Sequence, residues 1–95
     1  MGGGWVYIVA NRPHGMIYAG VSAYLAKRIK QHREGRGSAY CRRYGIKILV
    51  YAEWHDSIYD AIVREKRLKT WKREWKDLLI EEGNPQWRDL YDTLV

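Results

Sequence analysis

Two periods of hydrophobic and polar positions run along this chain, and the change between them separates strands from helices. Trp5 to Ala10 (WVYIVA) and Met16 to Val21 (MIYAGV) are short, rich in aromatic and β-branched residues, and predict two strands. Asn11-Arg12-Pro13-His14-Gly15 between them is turn chemistry, so the pair is a hairpin. Ile46 to Trp54 predicts a third strand, with Ile48, Val50, Ala52 and Trp54 on one face and Leu49, Tyr51 and Glu53 on the other. A first helix follows the hairpin, from about Ala23 to Glu34, with Ser22 as N-cap and Gly35 as terminator. Ala39 to Tyr44 predicts one helical turn closed by Gly45. Ser57-Ile58-Tyr59-Asp60 resembles a capping box with Asp in place of Glu or Gln. It opens a long helix whose apolar stripe is Ile58, Ala61, Ile62 and Leu68. The stripe then shifts to Trp71, Trp75, Leu78, Leu79 and Glu82, which predicts a kink or a new helix near Thr70. Gly83 ends that segment, and Asn84-Pro85 predicts a last short helix over about Gln86 to Asp92.

These elements give an α+β fold: a small three-stranded antiparallel sheet flanked by helices, with the Trp-rich C-terminal helical hairpin completing the core. The length of 95 residues predicts a single domain over 1–95, with 1–4 as a flexible glycine lead-in. There is no internal repeat, low-complexity segment or linker.

Against this pattern a few polar residues stand out. At about 100° per residue, Leu25, Arg28, Ile29 and His32 share one arc of the first helix. Leu25 and Ile29 dock that arc on the sheet, so Arg28 and His32 lie at or near the buried edge. Glu65 falls inside the apolar stripe of the long helix, where an unpaired carboxylate is costly and calls for a cation: Arg, Lys or a metal. Tyr7 and Tyr18 stand 11 positions apart across the hairpin. A loop of four residues, 11–14, gives opposed residues an index sum of 25 and sets Tyr7 against Tyr18. A five-residue loop puts the two rings on opposite faces. In the first register, two phenols, a guanidinium and an imidazole come within reach of one another.

Charge adds a direction. The net charge is +6, and residues 12–47 hold nine Lys/Arg against one acid, Glu34. That region is +8, whereas 48–76 is +2 and 77–95 is −4. A field of this sign over the odd polar groups favours a polyanion such as DNA or RNA. Five Trp and eight Tyr with no Phe leave rings whose polar atoms want partners. The one cysteine, Cys41, excludes an internal disulfide and fits a reducing compartment. No apolar run is long enough to span a bilayer, and the N-terminus lacks a basic region and cleavage site. The expected location is the cytoplasm. His14, His55 and Cys41 show no zinc-ligand spacing.

The stretch from Trp5 to His32 resembles the opening of a GIY-YIG nuclease domain. Trp5-Val6-Tyr7 matches the first motif, Tyr18-Ala19-Gly20 the second, and the Arg28-x-x-x-His32 helix follows. Trp5 replaces the first glycine of the motif name and Ala19 the middle isoleucine. Glu65 matches the family's glutamate on the helix after the third strand, and NPQWRDLY resembles the ending of small stand-alone bacterial members. The resemblance implies a metal-dependent endonuclease that hydrolyses DNA phosphodiester bonds, of the structure-specific kind used in repair or processing. It implies Glu65 as ligand to one Mg²⁺ or Mn²⁺, and Arg28 on the scissile phosphate. It also implies Tyr7 as the general base, its phenol expected to be acidified by Arg28, His32 and the local field, and Tyr18 as the residue that orients the water or exchanges roles with Tyr7. Asn84 resembles a late family asparagine. Lys27, Lys30, Arg36, Arg42, Arg43 and Lys69 are the expected nucleic-acid contacts.

Each residue also has a plain structural reading. Tyr7 and Tyr18 suit a cross-strand aromatic pair, His32 a helix-end histidine, Glu65 a salt bridge to Lys69, and Asn84 an N-cap. Two other functions stay open at this level. One is a non-catalytic DNA- or RNA-binding module on a degenerate nuclease scaffold. The other is a protein-interaction domain using Trp71, Trp75 and Trp87. The sequence leaves the oligomeric state open.

Overall fold

The run WVYIVA is apolar at every position because it lies in the middle strand, with cover on both sides. A computed structural model of the chain, describing residues 2–94, places β1 (Gly4–Ala10) between β2 (Ile17–Ser22) and β3 (Ile48–His55), both antiparallel to it. Tyr7 and Val9 point to one side, against Leu25 and Ile29 of α1 (Leu25–Arg33), Cys41 of α2 (Ala39–Tyr44), and Ile46. Val6, Ile8 and Ala10 point to the other side, toward Ala61 and Leu68 of α3 (Ile58–Thr70), Ile80 of α4 (Arg73–Gly83), and Trp87. The fold is thus the expected three-stranded antiparallel sheet with helices on both faces. Gly3 and Gly4 are not a free lead-in: both are buried, Gly4 opens β1, and a Cβ on Gly3 would lie 2.1 Å from the His55 carbonyl. Met1 lies outside the described residues.

The hairpin register differs from the expected one by a whole period of the pleat. Ala10 pairs with Ile17, Tyr7 with Gly20, and Val9 with Tyr18, an index sum of 27. The loop therefore spans residues 11–16, closed by Asn11 N–H to the Met16 carbonyl at 3.1 Å and Met16 N–H to Asn11 Oδ1 at 2.9 Å. Two extra residues leave the parity unchanged. Tyr7 and Tyr18 share a face but sit diagonally, not opposite each other.

On the other flank a β-bulge intervenes. Ile8 pairs with Tyr51 and Val9 with Leu49, leaving Val50 extra. The expected alternation of β3 therefore breaks. Leu49 and Ala52 both pack beside Tyr7 and Val9, whereas Val50 and Tyr51 both pack with Ile8 and Ala10.

Helix ends follow local chemistry. Ser38 caps α2 by accepting from Cys41 N–H at 3.1 Å, and Gly45 closes it in the left-handed region at φ 65°. Ser57 caps α3 through Tyr59 N–H at 3.2 Å, with no return bond from Asp60. Ser22 belongs to β2; its hydroxyl accepts from Tyr24 N–H, and α1 starts later than expected. The break between α3 and α4 comes at 71–72, near the predicted point. The predicted helix over 86–92 does not form. Trp87 is buried with φ 56°, outside the helical region, and only a 3₁₀ turn, Tyr91–Leu94, follows. Among the described residues no helix is long and apolar enough to cross a membrane.

Candidate active site

The site begins under β2, where the Tyr7 ring runs beneath Gly20. A Cβ on Gly20 would lie 2.4 Å from the Tyr7 hydroxyl, so the glycine of the Tyr-x-Gly motif leaves the space the phenol occupies. Two side chains of α1 reach the same hydroxyl. His32 Nε2 lies 2.9 Å from it, and Arg28 Nε donates to it at 3.3 Å. Gln31 accepts from the guanidinium at 3.1 Å and steadies it from the solvent side. The helical period puts Arg28 and His32 one turn apart, while Leu25 and Ile29 press that face on the sheet.

Burial sets the protonation states. Tyr7 and His32 are each 1% exposed. Burial pushes the Tyr7 pKa up, and the bond and charge of Arg28 oppose this without overcoming it. The expected acidified phenol is therefore not found: here desolvation outweighs the cationic neighbour. Burial, aided by Arg28, pushes His32 down to about 4, so its imidazole is neutral at pH 7. A protonated phenol facing a neutral ring donates its O–H to Nε2, which leaves the ring proton on Nδ1. That Nδ1 is buried with no hydrogen-bond partner among the described residues, pressed against Gly37, where a Cβ would lie 2.1 Å from it. An unsatisfied buried N–H costs about 1–3 kcal/mol, so His32 is held at the expense of stability.

Tyr18 and Glu65 join by a chain of contacts. The Tyr18 and His32 ring centroids are 6.0 Å apart. Lys69 Nζ lies 5.0 Å from the Tyr18 centroid and 2.8 Å from Glu65 Oε2. Glu65, 9% exposed on the sheet-facing side of α3, thus has the cation its position demands, and the Glu65–Lys69 pair is present. The pair raises the Lys69 pKa. Glu65, Lys69, Tyr18, His32, Tyr7 and Arg28 form one continuous series across the sheet.

Among the described residues no group of three or more His, Cys, Asp and Glu gathers to hold a metal. A single buried carboxylate with a flexible lysine for partner fits a hard divalent ion of the Mg²⁺ type. Such an ion takes one or two carboxylates and fills its remaining positions with water and phosphate oxygens. It does not fit zinc, which wants three or four protein ligands.

The predicted nucleic-acid contacts are all exposed, but not equally free. Lys27 lines a cleft of about 290 Å³ with Arg28 and Gln31, so it borders the site. Arg36 is paired with Glu34. Arg43 lies over the Tyr44 ring at 5.4 Å, while Lys30 and Arg42 enter no salt bridge among the described residues. Asn84 lies at the C-cap of α4, and its amide is spent on backbone. It donates to the Val50 and Arg88 carbonyls at 3.0 and 2.9 Å and accepts from Arg88 N–H at 3.0 Å. These bonds fasten the C-terminal segment to β3. Gln31, Gly37, Tyr40 and Lys76 also border the site. Gln31, one turn from Arg28 on α1, is legible in the sequence; the others meet the site only through tertiary contacts.

Comparison with known proteins identifies the domain and its fold. The GIY-YIG catalytic domain model matches residues 3–77. A UPF0213 protein of Bacillus pumilus is 41% identical over 76 residues, covering 80% of this chain and 78% of its own length. A UPF0213 protein of Staphylococcus saprophyticus is 37% identical over 79 residues, 83% of this chain and 95% of its own. The solution structure of a UPF0213 protein from Bacillus halodurans superposes with a TM-score of 0.56 at 28% identity, covering 92% of each chain. Trp5 and Ala19, two of the three departures from the motif name (Val6 for isoleucine is the conservative third), are absorbed locally: Trp5 meets Trp54 edge to face at 5.3 Å, and Ala19 is buried opposite Ile8. With the family model matching residues 3–77 and relatives at 41% and 37% identity, the chain belongs to the GIY-YIG catalytic domain family.

Proposed function

We propose that this protein is a divalent-metal-dependent endonuclease that hydrolyses DNA phosphodiester bonds. The observation that carries the reading is the unbroken series from Arg28 through Tyr7, His32, Tyr18 and Lys69 to Glu65. Glu65 would hold one Mg²⁺ or Mn²⁺, which when bound supplies Lewis-acid stabilisation of charge on the phosphate and leaving oxygen. Arg28 binds the scissile phosphate, where a fixed cation stabilises the charge gained in the transition state.

The raised pKa of Tyr7 points to a relay and not to a standing phenolate. As water attacks phosphorus, it passes a proton to the Tyr7 oxygen while Tyr7 passes its own to His32 Nε2. The resulting imidazolium is buried beside Arg28, so it returns its proton to the Tyr7 oxygen, which releases the proton taken from the attacking water to solvent; the leaving oxygen, on the far side of phosphorus, takes its proton from water. Tyr18, whose ring centroid lies 6.0 Å from that of His32, orients the water. The test is nicking of supercoiled plasmid and of branched DNA with Mg²⁺ or Mn²⁺. Wild-type protein is expected to nick, and Arg28→Ala is expected to bind without nicking. Binding without cleavage by the wild type overturns the proposal and leaves a binding module on the same scaffold.

A further inference from the structure

Beside the site, along the free side of edge strand β2, lies a cleft of about 320 Å³ that shares Tyr18 and Lys69 with the catalytic series and whose other lining residues the catalytic reading does not use. Ile17 and buried Ala19 give it an apolar floor, Tyr18 and Tyr40 aromatic walls, and Lys69 and Lys76 two cations. Its position coincides with a departure from the family motif, because Ala19 stands where the motif name has isoleucine. The smaller side chain keeps the floor open. The aromatic wall extends outward: the Tyr40 ring lies 6.1 Å from Tyr18 at 33°, and Tyr44 follows 5.1 Å from Tyr40. Tyr40 is nevertheless 42% exposed, a large aromatic residue left partly to water. Lys76 has no carboxylate partner among the described salt bridges. Burial first, then the neighbouring Arg73 and Lys69, push its pKa down, so an anion there would be welcome.

Apolar floor, ring walls and unpaired cation together match a nucleobase with its phosphate. The volume lies at the lower end of small-molecule sites, about 300–1,000 Å³, and suits a single ring system. We propose that this cleft is a subsite for one unpaired nucleobase adjacent to the scissile phosphate, stacked on Tyr40, with Lys76 on the neighbouring phosphate. It rests on the nuclease reading and narrows its substrate class. A base held in a duplex cannot enter, so the preferred substrate has an unpaired nucleotide at the cut: a single strand, a flap or a gap.

The test is binding in EDTA, where no cleavage occurs. Fluorescence anisotropy compares a labelled single-stranded thymidine oligonucleotide with an abasic strand of the same length and charge. The wild type is expected to prefer the intact strand by about tenfold, the scale of one base–aromatic stack. Tyr40→Ala removes the wall, and Ala19→Ile restores the family residue and fills the floor. Each is expected to abolish that preference, keep the abasic affinity and keep the melting temperature. Equal binding of both strands by the wild type, parallel weakening of both by the variants, or no measurable binding of either overturns the subsite. Nicking with Mn²⁺ is scored separately. Base preference without nicking supports the subsite and removes the nuclease reading; nicking without base preference does the reverse.

Discussion

At the scale of single residues, the Tyr7 hydroxyl is the point on which Arg28, His32 and Gly20 converge, and three outcomes follow from it. Arg28→Ala is expected to lower the nicking rate by about 10²-fold or more while weakening DNA binding only modestly. One phosphate contact among many matters little for affinity, but a cation aimed at the transition state matters greatly. Rate and affinity falling in proportion would make Arg28 an ordinary basic contact. Gly20→Ala drives a methyl group into a buried phenol fixed by two partners. It should lose nicking and cost about 1–3 kcal/mol in denaturant melts, the usual penalty for overpacking. His32 carries a pH signature. Its folded pKa is depressed from 6.5 to about 4, so the unfolded chain takes up a proton that the native site refuses. The neutral-ring contribution is full above pH 6.5 and is lost as pH falls toward 4, a change of about 3 kcal/mol. Urea melts at pH 7.5 and 4.5 should show that drop in the wild type, and a smaller one in His32→Gln. These residues were legible in the chain because a polar group on an apolar arc is conspicuous. Gly37 was not: its role is to lie against the His32 ring, a contact that no local pattern records.

At the scale of elements, parity mattered more than loop length. The hairpin loop is longer than the residues 11–14 that the pattern predicts, yet the two tyrosines share a face because the difference is even. The bulge at Val50 had no such protection, and one unpaired residue moved Leu49 and Ala52 to the same face. A bulge carries no composition signal in ILVYAEWH, where Leu49, Val50 and Tyr51 around it all suit a regular strand. Trp87 is a similar case: its left-handed backbone is held by burial and by the Asn84 bonds, and NPQWRDLY read alone favours a helix start. The long helix α3 was legible, including its one misfit, Glu65. Replacement by Gln tests what that misfit is for. Lys69 is 45% exposed at its side chain and can turn to water, so loss of the pair should cost about 1 kcal/mol or less without metal. Mn²⁺ should raise the melting temperature of the wild type and not that of Glu65→Gln. An equal metal response in both would detach Glu65 from any ion.

At the scale of the whole molecule, charge and site coincide. The +8 region, residues 12–47, supplies Arg28 and His32 and, through α2, the basic and aromatic flank beside β2. Binding of DNA should fall steeply with salt, by about 0.9 in the log–log slope for each phosphate neutralised on duplex and about 0.7 on single strands. A slope near zero contradicts a phosphate-tracking surface. The sheet with helices on both faces was legible from period changes alone, since each change marks an element and each apolar face needs a partner. The way the faces converge on one hydroxyl was not, because it depends on the bulge and on glycine contacts between distant segments. The most direct measurement of the central claim is plasmid nicking by wild type and Glu65→Gln, both shown folded, with Mn²⁺ and with EDTA. The account predicts nicking by the wild type with Mn²⁺ only, and none by Glu65→Gln under either condition. Nicking by folded Glu65→Gln at the wild-type rate, or by the wild type in EDTA, would contradict it.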